Sequence, residues 1–151
     1  MINVNVFSED NNWSKRIRNK EIFFKSICKA FPRKYKFLNK NVSFTLLLSN
    51  NKNIKKLNKK FRNKNKPTDI LSFPLGHKFS IKKDTYLGDI IISFNYMNKN
   101  KEKILFNTVV IKTFIHGFLH LLGFDHINDK DYKKMIIEEN KIYKSVISKL
   151  N

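Results

Sequence analysis

Ile104-Leu105-Phe106-Asn107-Thr108-Val109-Val110-Ile111-Lys112-Thr113-Phe114-Ile115-His116-Gly117-Phe118-Leu119-His120-Leu121-Leu122 is the longest apolar stretch of the chain, and its reading decides the architecture. Asn107, Thr108, Lys112, Thr113, His116 and His120 interrupt it, and most of these groups are costly in hydrocarbon. The stretch is therefore expected to be a core helix of a folded domain and not a membrane span. It is apolar almost all round, so other elements must cover it.

The flanking sequence supplies those elements. Ile2, Val4 and Val6 alternate with Asn3 and Asn5, the period-2 pattern of a half-exposed strand. Ser14 reads as a helix N-cap, and Ile17, Phe24, Ile27, Cys28 and Phe31 recur at helical spacing until Pro32. Val42, Phe44, Leu46 and Leu48 mark a second strand whose other face turns apolar at Leu47. The polar run from Asn50 to Asn53 is a short loop or helix start, after which Ile54, Leu57 and Phe61 stripe a lysine-rich helix. Pro67 and Pro74 bracket a strand at Ile70-Leu71-Ser72-Phe73, and Leu87 to Ile92 is expected to pair with it after a polar loop. Downstream, Tyr132, Met135, Ile136, Glu139, Ile142, Tyr143, Val146, Ile147 and Leu150 form one stripe of a final helix. The expected class is α+β, a single domain over 1–151 with a small mixed sheet packed against several helices.

Composition agrees. The 151 residues are 41% hydrophobic and 13% aromatic, enough for a core and against a disordered or fibrous chain. Cys28 is the only cysteine and cannot form an internal disulfide, and Met1-Ile2-Asn3-Val4-Asn5-Val6 has no charged segment followed by an apolar one. A reducing cytoplasm is the expected location. Lys and Arg number 31 against 12 Asp and Glu, a net charge of +19 that predicts attraction to polyanions, with RNA or DNA the natural candidates. Asn, Ile and Lys are all abundant while only Arg16, Arg18, Arg33 and Arg62 are arginines, a bias that codon drift in an AT-rich genome also produces.

Three of the four histidines fall in His116-Gly117-Phe118-Leu119-His120-Leu121-Leu122-Gly123-Phe124-Asp125-His126. Four residues apart on a helix, His116 and His120 project one turn above each other from one face, which suits two positions of a tetrahedral metal ion. Gly123 can end the helix in the left-handed conformation and let His126 return as a third ligand. Three imidazoles leave a fourth position open, as in catalytic zinc sites, where a bound water has a pKa of about 7. Zinc is the expected ion, although nickel, copper and iron also accept imidazole. Asp125 either orients a ligand or accepts backbone donors in the turn, and the turn role is the expectation. The spacing resembles the metzincin peptidase signature, but Gly117 stands where those enzymes carry a glutamate base, so peptide hydrolysis of that kind lacks its acid and base.

The histidine segment, together with Leu57-Asn58-Lys59-Lys60-Phe61-Arg62-Asn63-Lys64-Asn65-Lys66-Pro67-Thr68-Asp69-Ile70-Leu71-Ser72-Phe73-Pro74 and Leu87-Gly88-Asp89-Ile90, resembles the YbeY family of rRNA maturation factors, in the same order and over most of the chain from about Leu57. The resemblance implies a single-strand-specific, metal-dependent endoribonuclease acting in 16S rRNA 3′-end maturation, ribosome assembly and quality control. It implies zinc ligation by His116, His120 and His126, and rRNA, the small ribosomal subunit and assembly proteins as partners. It also points to Arg62 as the residue that meets RNA phosphate. A guanidinium is a planar, permanently charged fork suited to phosphate oxygens, whereas the plain alternative is a solvated charge favoured by the helix dipole. Lys64 and Lys66 could extend the phosphate track.

Ser72 has no base near it in sequence and is read as structural. Asp69 and Asp89 are expected at strand starts, capping turns or reaching the cleft. Gly88 and Gly117 are expected to permit close backbone approach. Two positions depart from the family pattern: Lys112 stands where many members carry a further histidine, and Phe124 where many have tyrosine. A non-catalytic rRNA-binding assembly factor with a structural metal is the alternative from another class.

Overall fold

The structure is a computed structural model and describes residues 1–76, 81–99 and 101–150. Strands β1 (Ile2–Ser8), β2 (Asn41–Ser49), β3 (Ile70–Pro74) and β4 (Asp84–Ser93) form one sheet in the order β1-β2-β4-β3. β1 pairs with β2 and β2 with β4 in parallel, while β3 runs antiparallel to β4, so the sheet is mixed as expected. The polar loop expected between Pro74 and Leu87 lies partly outside the described residues.

One face of β2 presents Val42, Phe44, Leu46 and Leu48, all fully buried. Against this face pack α2 (Lys20–Lys29), α5 (Lys103–Leu121) and, outside α5, α6 (Asp129–Leu150). Aromatic rings knit the layers together: Phe44 lies 5.7 Å from Phe114 and 5.6 Å from Phe118, centroid to centroid, and Phe31 lies 4.9 Å from Phe118. The opposite face is covered at its β3–β4 end by α3 (Asn51–Arg62), which buries Ile54 against Leu71 and Ile91. This explains why β2 turns apolar on its second side at Leu47, which packs into that smaller cluster.

The apolar stretch that opened the sequence is a core helix, with Phe106, Val110, Phe114 and Phe118 inaccessible. It is long and apolar enough to cross a membrane by composition, but it lies between the sheet and α6.

Two local expectations change. Ser14 is not an N-cap: it lies inside the single turn α1 (Trp13–Arg16), and Ile17 is extended. The buried Trp13 indole donates to the Ser49 carbonyl at 2.9 Å and pins that turn to the end of β2. The amphipathic helix then restarts as α2 behind Asn19, whose side chain accepts the Ile22 N–H at 3.0 Å. Asp89 is not at a strand start either, because β4 begins at Asp84, and its carboxylate accepts from the Tyr86 hydroxyl at 2.5 Å. Asp69 does cap the start of β3, accepting the Ile70 N–H at 2.8 Å. The polar run at 50–53 resolves as a helix start, with Asn50 accepting the Asn53 N–H at 2.9 Å. The remaining helix, α4 (Phe94–Met97), is a single turn absent from the sequence reading.

Candidate metal centre

α5 positions the first two histidines. It can lie close to the sheet because residue 117 has no side chain: a Cβ there would stand 2.6 Å from Ile70 Cδ1 and 3.2 Å from Ser72 Oγ. The Ser72 hydroxyl donates to the Gly117 carbonyl at 3.3 Å, the structural role expected for it. At its C-terminus the helix closes with two backbone bonds, Gly123 N–H to His120 O at 3.0 Å and Phe124 N–H to Leu119 O at 3.0 Å. Gly123 adopts φ +95°, and the pattern is a Schellman cap. The chain thereby doubles back, and His126 joins the two helical histidines.

The ligand atoms of His116, His120 and His126 all lie within 4.8 Å of one another. The Phe124 carbonyl accepts from His120 Nδ1 at 2.9 Å, so Nδ1 carries the proton. His116 Nδ1 meets Glu139 Oε1 of α6 and is likewise the donor. Both Nε2 atoms therefore carry lone pairs, and they face each other at 3.0 Å. Two lone pairs at that distance repel unless a cation sits against both. Two Zn–N bonds of about 2.0–2.1 Å at a tetrahedral angle would separate the nitrogens by about 3.3 Å, close to what is found. A proton is the poorer guest: burial and the neighbouring His116 hold His120 below the usual histidine range. The donor set thus fits a divalent transition metal held by three neutral imidazoles.

Glu139 is a candidate positioning residue that the sequence did not reveal, in contact with His116 Nδ1. Its one signal was its place among Met135, Ile136 and Ile142 in the apolar stripe of α6, where a carboxylate needs a partner. Replacing it with Gln removes the charge that makes His116 a better ligand, and metal affinity is expected to fall about 10-fold, approaching 100-fold for Ala. Competition with a chromogenic chelator measures this.

A pH dependence follows from His120. With its folded-state pKa below the ordinary 6.5, the unfolded chain binds the extra proton first. This contribution to stability is complete above pH 6.5 and is lost as pH falls from there towards the folded value. Thermal melts of chelated protein are expected to show stability declining on acidification through this window, less so in His120→Gln.

Asp125 takes the turn role, accepting the His126 backbone N–H at 2.8 Å. The Lys112 ammonium lies 4.9 Å above the Tyr143 ring, directed to α6. Arg62, exposed in the last turn of α3, reaches to 3.5 Å from the Ser72 carbonyl of edge strand β3. That contact is long, and it is the only hydrogen bond its guanidinium makes among the described residues. Ser72 thus links Arg62 to Gly117, the neighbour of His116. Lys64 and Lys66 are exposed in the loop that follows, which the buried Asn58 side chain ties down by donating to the Lys66 carbonyl at 2.8 Å.

The chain is similar to known proteins. Residues 6–147 match the family described as endoribonuclease YbeY. Endoribonuclease YbeY of Pelagibacter ubique is 61% identical over 152 residues, covering 99% of both chains. That of a Sulfurihydrogenibium species is 37% identical, covering 87% of this chain and 92% of the relative. The solution structure of TM1509 from Thermotoga maritima superposes with a TM-score of 0.60 at 27% identity, covering 99% of this chain and 91% of that one. With the match spanning both the histidine segment and the Arg62 block, the chain belongs to the YbeY family of endoribonucleases.

Proposed function

We propose that this chain is a cytoplasmic, zinc-dependent endoribonuclease that cuts single-stranded RNA and trims the 3′ end of 16S rRNA during assembly of the small ribosomal subunit, its 151 residues working as one catalytic domain. The observation that carries the metal dependence is the pair of Nε2 lone pairs facing each other at 3.0 Å beside His126. The family supplies RNA cleavage, and a net charge of +19 supplies long-range attraction to the polyanion.

Bound zinc would contribute Lewis acidity toward a phosphoryl oxygen or a water nucleophile. Glu139 and the Phe124 carbonyl hold the protons on Nδ1 of His116 and His120, keeping both rings neutral and turned inward. Arg62 offers a forked donor to the phosphate oxygens, with Lys64 and Lys66 following the strand beyond it. Water and the adjoining 2′-hydroxyl are both competent nucleophiles here, and a single deoxynucleotide at the cut site separates them.

The test is cleavage of end-labelled single-stranded RNA against its duplex, with zinc-loaded and chelated protein side by side. Cleavage of the single strand that stops on chelation supports the reading. Salt-sensitive binding without cleavage under any divalent metal would leave an assembly factor with a structural metal. Arg62→Ala is expected to lower kcat about 100-fold at unchanged zinc content, the scale for losing one preorganised donor to developing charge.

A further inference from the structure

Beside the histidines lies an open cavity of about 510 Å³ whose lining includes Lys34, Tyr35, Phe37, Lys40, Leu122 and Phe124. Phe124 connects it to the metal centre, because its carbonyl is the acceptor that orients His120. Among the described residues the lining is aromatic and aliphatic with two lysines, and the neighbouring carboxylate, Glu138, already accepts from the Tyr35 hydroxyl and from Lys141. Lys34 lies 5.2 Å above the Tyr35 ring and 3.6 Å from Glu138, and Lys40 donates to the Ile81 carbonyl at 2.6 Å. Each ammonium has three donors, so each retains capacity for an anion.

Phe37 makes the site more than a surface hollow. It has φ +49°, one of two non-glycine residues with positive φ among those described. The other, Asn63, is a residue type that tolerates this conformation and caps α3, whereas an aromatic ring there is disfavoured, and such strain is found where a side chain must be aimed. In this conformation the half-buried ring of Phe37 packs against the core and also lines the cavity.

We propose that this cavity accepts one unpaired base of the RNA strand, stacked against Phe37 and Phe124, with the adjoining phosphates on Lys34 and Lys40. The proposal rests on the nuclease reading and deepens it. Aromatic faces combined with cations are the chemistry of single-strand binding, because every base has a π-face and every linkage a charge. A purely apolar ligand would have no use for the lysines. A pocket that must be entered by a base also gives a physical reason for rejecting duplex, whose bases are stacked and paired.

The test uses labelled single-stranded oligoribonucleotides with the whole protein in chelator, so that binding is read without cleavage. Phe37→Leu keeps an apolar side chain of similar reach but removes the stacking face, and its affinity is expected to fall about five- to tenfold. Oligonucleotides carrying one abasic residue at successive positions should show one position whose loss weakens wild type by at least that factor and weakens Phe37→Leu, which keeps only the Phe124 face, by clearly less. Lys34→Ala with Lys40→Ala should reduce the slope of log affinity against log salt by about 1.4. Wild-type affinity and an unchanged abasic profile in folded Phe37→Leu would overturn the subsite, while zinc-dependent cleavage by wild type would leave the nuclease standing. Wild type that neither binds nor cuts RNA would remove both.

Discussion

His120→Ala is expected to abolish zinc-dependent RNA cleavage and to lower metal affinity roughly 100- to 1,000-fold. The magnitude follows from dividing the ~10–16 kcal/mol of a four-ligand zinc site among its ligands, which gives about 3 kcal/mol each. His120 bridges the set: its ring lies 4.6 Å from that of His116 and 5.2 Å from that of His126, whereas those two are 5.7 Å apart. The protein should still fold. The bond to Phe124 is lost, at a cost of about 1 kcal/mol, but the repulsion between facing lone pairs disappears as well. Melting of the chelated variant is expected to stay within about 2–4 °C of wild type, while added zinc, which raises the wild-type midpoint, no longer does so. A variant that keeps the zinc-induced rise would place the metal elsewhere. One that binds zinc poorly yet cuts RNA at the wild-type rate would detach the chemistry from these histidines.

The parts of this site that can be read from the chain are those that lie close together along it. His116, His120, Gly123 and His126 follow one another within a helix end and its cap, where helical period and glycine's freedom determine where side chains go. Glu139 is 23 residues further on, and its meeting with His116 depends on how α6 docks on α5. No period in either helix records that contact. The same holds for the chain of bonds from Arg62 through Ser72 to Gly117, which spans two strands and two helices. In the fold, alternation located β1 and β2 because one face of each is buried, and the two expected strands at β3 and β4 do pair. Periodicity missed the break at Ile17 because Ile17 is buried on either reading, so its apolar character cannot distinguish a helical residue from an extended one. The turn before the break is held to the end of β2 by the bond from Trp13 to Ser49, a contact across 36 residues that no local pattern records. The conformation of Phe37 was invisible for a different reason: phenylalanine is not a residue that advertises positive φ.

Gly88→Ala is expected to destabilise the protein by about 3–5 kcal/mol, a large fraction of the ~5–15 kcal/mol that holds a domain together. Gly88 has φ +133°, and a Cβ built there runs into the Phe73 carbonyl oxygen and comes within 3.0 Å of Pro74 Cα. Both obstacles are backbone of the paired strand, so no rotamer change relieves them. The position is a natural weak point of the sheet, since the parallel register of β2 with β4 shifts between Ser43 and Thr45 in the same region. Pushing β3 away from β4 also disturbs the metal centre, because β3 carries the Ser72 that bonds both Arg62 and Gly117. Urea titration should therefore show a lower midpoint, and the surviving folded fraction should bind zinc less tightly. Gly117→Ala is the informative contrast. Its Cβ runs into the Cδ1 tip of Ile70, a flexible and half-buried group, and comes within 3.1 Å of the buried Ile90 Cγ2 and 3.2 Å of Ser72 Oγ, all side-chain atoms, while alanine favours the helix by about 1 kcal/mol. A smaller loss of stability is expected there than at Gly88. Equal losses at the two positions would mean that the α5 to β3 contact is as rigid as the strand pairing, and that Ile70 cannot yield.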